Sequence, residues 1–284
     1  MTDQQTYDRL IPIINMIDNN VTCQSVTDNL DGTYTFLCSK TKWSLPGFEI
    51  SILGNDYTIT NVVYNTSITI RGTVLPVALT FNLYVPIFKH GTIKVVASEL
   101  NKVTDYKERL PLIYLKEQTV ERLHFDRFDS LDTECDVTLY FLSQADNSNW
   151  SQADGDTKGI APMRSLANEF IKVLADNQFV AELTNTGDLR NYNIFGNVSD
   201  NGVTKNIFNE PLCGVGLRIN IPFLKECDCC EDSNLPSKMP AYVTDLYGNI
   251  IAVLYSNEFY PITVLTTISD TIDNNNSTII ENLN

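Results

Sequence analysis

The chain has 284 residues, 43% of them hydrophobic, which is enough for one large domain or two smaller ones with cores of their own. Thirty-five acidic residues against twenty basic ones leave a formal charge of -15, which speaks against a nucleic-acid-binding surface and would repel a phosphate backbone. Two histidines, no glycine-rich phosphate loop and no nucleophile elbow leave few routes to catalysis.

Met1 to Asn20 carries charges and places its apolar residues at helical spacing, unlike the basic flank and apolar run of a signal peptide. No stretch approaches the roughly 20 continuous apolar residues of a membrane span, so synthesis in a cytosol is expected. Seven cysteines without regular spacing predict free thiols in a reducing compartment.

The first predicted element is a helix over 1–20. Thr2 and Gln5 form a capping box, and Tyr7, Leu10, Ile11, Ile14 and Ile17 line one face. From Val21 the period changes to two. Strand-like runs at Thr33 to Cys38, Phe48 to Leu53, Tyr57 to Val63, Ser67 to Arg71 and Ala78 to Tyr84 are separated by turn residues such as Asp31-Gly32 and Gly54-Asn55. Residues 21–89 therefore read as an inserted all-β barrel or sandwich.

His90-Gly91-Thr92 opens a second predicted helix, with Ile93, Val96, Ala97, Leu100 and Val103 on one stripe. Leu110 to Leu115 is an apolar run that Pro111 places at a strand start or sheet edge, and Asp136 to Leu142 is the next strand. Gln144 to Ile160 is polar and reads as an exposed loop. Pro162 then sits in the first turn of the strongest predicted helix, striped by Met163, Leu166, Ala167, Phe170, Ile171 and Leu174. Gly214 to Phe223 alternates as a strand. The fold class expected for 90–226, with the N-terminal helix, is α+β: a small mixed or antiparallel sheet with helices packed on it. Over 227–284, Ala241 to Tyr247 and Ile250 to Tyr255 read as a hairpin and Ile262 to Ile268 as a third strand. Ser269 to Asn284 is a polar extension that orders against a partner.

Several clusters invite a chemical reading. Cys227-Asp228-Cys229-Cys230 could bind zinc, but only Cys213 is available as a helper and no second pair completes four ligands, so a linker with reduced thiols is favoured over an intersubunit disulfide or metal clip. The acidic run Asp126, Asp129, Asp132, Glu134 and Asp136 could hold a hard cation. Its spacing fits no ligand loop and Arg122 and Arg127 interrupt it, so a charged loop is favoured. Asp154-Gly155-Asp156 fails the calcium-loop pattern at Lys158. His90 and His124 have no nucleophile partner in a recognised pattern, and His90 is expected to cap the following helix or fix its loop. Tyr242, Tyr247, Tyr255, Phe259 and Tyr260 read as core or interface rather than a stacking face. No catalytic, cofactor-binding or metal-binding residue is assigned.

The string His90-Gly91-Thr92, Glu99-Leu100 and Leu110-Pro111-Leu112-Ile113-Tyr114-Leu115-Lys116-Glu117, followed by Asp136 to Leu142 and the helix from Pro162 to Asp176, resembles the neck and tail ring proteins of tailed bacteriophages, particularly crAss-like phages, over residues 90–223. The resemblance implies a head-to-tail connector of the tail-terminator type of α+β fold, with no enzymatic activity and no cofactor. It further implies a homomeric, twelve-fold ring in the virion, assembled in the host cytoplasm between portal and neighbouring ring proteins, with DNA passing through unbound. A tail-tip or fibre-attachment module using the β region for binding, and a metal-dependent hydrolase using the acidic run or the cysteines, are the alternatives.

Overall fold

The computed structural model describes residues 6–105, 109–117, 119–123, 131–146, 149–183, 187–200, 203–224, 241–244 and 250–254. The chain divides into two compact units, Met1–Glu226 and Cys227–Asn284.

In the first unit, helix α1 (Thr6–Asn15) buries Leu10, Ile13 and Ile14 and packs on the long helix described below. Strands β1 (Asn20–Thr22), β2 (Ser25–Asp28), β3 (Thr33–Leu37), β4 (Glu49–Ile52), β5 (Asn55–Val63), β6 (Ser67–Arg71) and β7 (Thr80–Asn82) follow. Five of them form an antiparallel sheet in the order β2-β3-β6-β5-β4, while β1 pairs with β7. Alternation drives this layer: Tyr34 and Phe36 of β3, Tyr57 and Ile59 of β5, and Ile68 and Ile70 of β6 are buried, as are Trp43 and Phe81 outside the sheet. Cys23 and Cys38 are joined by a disulfide, which overturns the expectation of free thiols throughout; register brings them together, since Ser25 opposes Leu37.

Strand β8 (Ile87–Gly91) leads into α2 (Ile93–Leu100), then β9 (Leu112–Lys116), β10 (Val120–Leu123) and β11 (Leu131–Gln144). The peptide bond Leu110–Pro111 is cis. A short α3 (Gln152–Asp154) runs through a π-helical turn, Gly155–Ile160, into α4 (Ala161–Ala175). Strands β12 (Asp188–Phe195), β13 (Asn197–Asp200), β14 (Val203–Asn206) and β15 (Leu212–Leu224) complete the unit. The main sheet has the order β12-β15-β11-β9-β8, with β10 also on β11. Its pairs are antiparallel except β8 with β9.

Pro162 starts α4 as its sequence position predicts, and the Met163, Leu166, Ala167, Phe170 and Leu174 stripe is buried against β11 and β15. Phe141 of β11 meets Phe170 with ring centroids 5.7 Å apart. On the opposite face Tyr114, Tyr140, Tyr192 and Phe195 form a ladder of rings, and Phe208 packs on Phe195.

The expected helix-packed α+β fold is not what the chain adopts. Strand makes up 43% and helix 22%, with several sheets, so the fold is β-rich and the tail-terminator-like assignment falls with the α+β one. The physical reason is visible in β11. The acidic stretch expected to loop is a strand in which Thr133, Cys135 and Val137 are buried while Glu134 and Asp136 point to the other, half-exposed face. Gln144 to Ile160, expected as a loop, holds α3 and the π-helical turn, while α1 and α2 are only 10 and 8 residues long.

In the second unit, β16 (Ala241–Thr244) pairs antiparallel with β17 (Ile250–Leu254), Ala241 opposite Leu254. The predicted third strand and polar extension lie outside the described residues.

Candidate functional site

The feature with the clearest functional content is the pair of strands that end the main sheet. β8 enters parallel to β9: the Ile87 amide donates to the Pro111 carbonyl at 2.8 Å, and the Glu117 amide to the Gly91 carbonyl at 3.2 Å. Alternation then turns the backbone groups of Phe88 and His90 outward. At the far side, β12 pairs with β15 alone among the described residues, and a bulge lies between Tyr192 and Phe195. Side chains anchor both strands to the body. Tyr7 of α1 stacks on Phe88 and tilts against His90, each with centroids at 5.2 Å, and Lys89 reaches Glu99 of α2 at 3.0 Å. Arg164 of α4 donates to Asn191 at 2.7 Å, and Asn193 donates to Gln152 of α3 at 3.2 Å. The edges are held in place, and among the described residues no strand pairs with the outer side of either one.

A cleft of about 590 Å³, within the range of small-ligand sites, opens where the β4 and β5 region meets the end of β11, lined by Pro46, Phe48, Val62, Trp150, Lys158 and Pro211. Its wall is shaped by the π-helical turn. Gly159 lets Trp150 and the Cys213 sulfur lie close against the backbone, since a Cβ there would stand 3.2 Å from Trp150 Cζ3 and closer still to Sγ. Lys158 is paired with Asp154 at 2.6 Å.

The residues singled out from sequence fall as follows. Cys227, Asp228, Cys229, Cys230, His124, Asp126, Arg127, Asp129, Tyr247, Tyr255, Phe259 and Tyr260 lie outside the described residues, as do the side chains of Asp132 and Tyr242. Cys213 is buried beside Ser143, and burial pushes its thiol up to about 11, which disfavours the thiolate a metal needs. Asp136 accepts from Asn220 at 2.9 Å and from Arg122 at 2.7 Å, and these two partners hold its carboxyl below the usual range. The surrounding hollow also contains Glu134, Asp188 and Arg218, so three carboxylates face two guanidinium groups there. Asp154 belongs to a helix cap: Lys158 first and Ser151 second lower it to about 2, and Ser151 and Asp154 form a reciprocal capping box. Among the described residues no group of three His, Cys, Asp or Glu side chains could hold a metal ion.

Contrary to the expectation, His90 does not cap α2. Thr92 does, its hydroxyl accepting from the Val95 amide at 3.3 Å, because the strand continues through Gly91 and leaves His90 in β8. A hollow of about 390 Å³ beside His90 contains Thr6, Glu117 and Glu121, with Thr6 hydrogen-bonded to Glu121. Sequence reasoning found neither β8 as an edge nor the cleft, because both depend on which distant segments pair.

Comparison of the chain with protein-family models, curated proteins and solved structures finds no match. No helix among the described residues is long and apolar enough to cross a membrane.

Proposed function

We propose that this chain is a virion structural protein: a subunit of a homomeric ring in the neck or tail of a tailed double-stranded-DNA bacteriophage, joining portal-proximal and tail-proximal rings around the DNA conduit. The observation that supports this reading is that the main sheet carries unlike edges on its two sides, the antiparallel β12 on one and the parallel β8, with the short β10 beside it, on the other. One subunit can then present β12 to β8 of the next. Such a contact is heterologous, and repetition about an axis closes it into a ring.

The sequence resemblance over 90–223 supplies the phage setting, the twelve-fold count and the adjoining portal or ring proteins. The charge of -15 fits the same role, since acidic side chains toward the bore let DNA slide without sticking.

Native mass measurement and electron microscopy of the purified protein and of the intact particle test the proposal. A closed ring on the portal-to-tail passage is the expected result. A monomer at every concentration together with a passage that lacks this polypeptide overturns it.

A further inference from the structure

Two backbone irregularities converge on the cleft of about 590 Å³. β4 pairs with β5 only as far as Thr58, after which the Ile59 amide donates to the Phe48 carbonyl at 2.8 Å. A bulge then lies between Ile59 and Asn61. Thr60, Asn61 and Val62 all line the cleft, where a regular strand would send successive side chains to opposite faces. The π-helical turn supplies another part of the wall through Thr157 and Lys158, with Trp150 just ahead of it. Bulges and π-helical turns both recur beside functional sites.

The two charges in the lining are already engaged: Lys158 with Asp154 at 2.6 Å, and Asp146 with the Asn149 side-chain amide at 2.8 Å. What the cleft offers a ligand is therefore neutral. The side-chain amides of Asn61 and Gln144 and the indole N–H of Trp150 have no hydrogen-bond partner among the described residues. Half-buried Trp150 shares the lining with Pro46, Pro162 and Pro211. A wholly apolar ligand would bury those three polar groups unpaired. An anion would find its cation taken, and an extended peptide would meet three prolines, which have no amide hydrogen to give. A sugar matches the set. Its hydroxyls both donate and accept, so one side-chain amide serves two of them, while the C–H face of the ring lies on an indole or a proline.

We propose that this cleft binds a short neutral saccharide, with Trp150 as the apolar platform and Asn61 and Gln144 as the hydroxyl-binding groups. The site does not depend on the ring, because the whole cleft lies within the Met1–Glu226 unit of one subunit.

An array of neutral and acidic saccharides probed with the labelled full chain tests this, followed by titration of the unlabelled protein with each hit. Trp43, the other of the two tryptophans, is fully buried, so a change in fluorescence reports on Trp150. The expected result is a neutral saccharide that binds at millimolar concentration or below and shifts that emission. Asn61 and Gln144 are exposed, and the paired substitutions Asn61→Ala and Gln144→Ala are expected to weaken the binding at least tenfold while the melting temperature stays put. No saccharide bound, acidic saccharides bound alone, an affinity that survives both substitutions, or a decaproline peptide bound more tightly than any saccharide would each overturn the proposal.

Discussion

Gly214 of β15 lies against the carbonyl oxygen of Phe141 in β11, at φ +153°, so close that a Cβ on Gly214 would overlap that oxygen. Backbone meets backbone there, and no side-chain rotation can relieve it. Gly214→Ala is therefore expected to cost about 2 kcal/mol or more, the range of a Cβ forced into a left-handed backbone position. Urea unfolding followed by circular dichroism reads it directly. A midpoint equal to that of the native chain would mean that β11 and β15 pair differently at this point.

The Cys23–Cys38 bridge closes a loop of 15 residues around the start of the β sheet. Constraint of the unfolded chain by a loop of this size is worth about 3 kcal/mol. Reductant is expected to lower the melting temperature of the native chain and to leave a Cys23→Ser, Cys38→Ser double variant unaffected. Equal melting with and without reductant in both proteins would show that the two thiols are not joined in solution.

What was legible in the sequence follows from how local each signal is. Helix α4 announces itself through Pro162 and a six-residue apolar stripe, and β15 through Val215, Leu217, Ile219 and Ile221 in strict alternation. Strand β11 was legible only from Asp136 to Leu142; its start hid because its outward positions there are Asp and Glu, and the count of acids masks the period of two in Thr133, Cys135 and Val137. β8 offers no alternation, and its parallel partner lies 25 residues on, Ile87 opposite Leu112. The edges on which the proposed ring depends are a property of strand order, which no single segment encodes.

Tyr114 donates its hydroxyl to the Gly91 carbonyl at 3.0 Å, tying the end of β8 to β9. Burial first, and the neighbouring Tyr140 second, push its pKa from the ordinary 10 up to about 12. A tyrosine held protonated by the fold contributes stability that is intact below pH 10 and lost as pH rises toward 12. Tyr114→Phe is expected to flatten that alkaline decline, at the cost of about 1 kcal/mol at neutral pH for the lost hydrogen bond. Unfolding midpoints between pH 8 and pH 12 measure both effects, and an unchanged alkaline slope would assign the decline to another tyrosine.

Leu53 holds a left-handed conformation that costs a leucine about 1 kcal/mol and an asparagine less. Its side chain, largely in solvent, contributes little packing in return. Leu53→Asn is thus expected to stabilise the isolated protein by about 0.5–1 kcal/mol, a gain at a position where large-to-small changes ordinarily cost. Thermal unfolding decides the sign. A loss would show that Leu53 is packed within the chain in solution.

Ile194 lies in the outermost strand of the main sheet, 45% exposed, two residues past Tyr192 and at the bulge that precedes Phe195. A lysine in an edge strand is a common natural guard against strand addition, because pairing would bury or crowd its charge. Ile194→Lys is expected to move the melting temperature by no more than about 1 °C, as surface substitutions away from packed features do. The same change should convert the proposed ring to free subunits in native mass measurement and sedimentation. If the variant folds normally and still assembles like the native chain, β12 is not the seam. If it assembles only at raised protein concentration, the seam runs through β12 and the lysine has weakened it, which is the outcome that separates strand addition from contacts made elsewhere on the subunit.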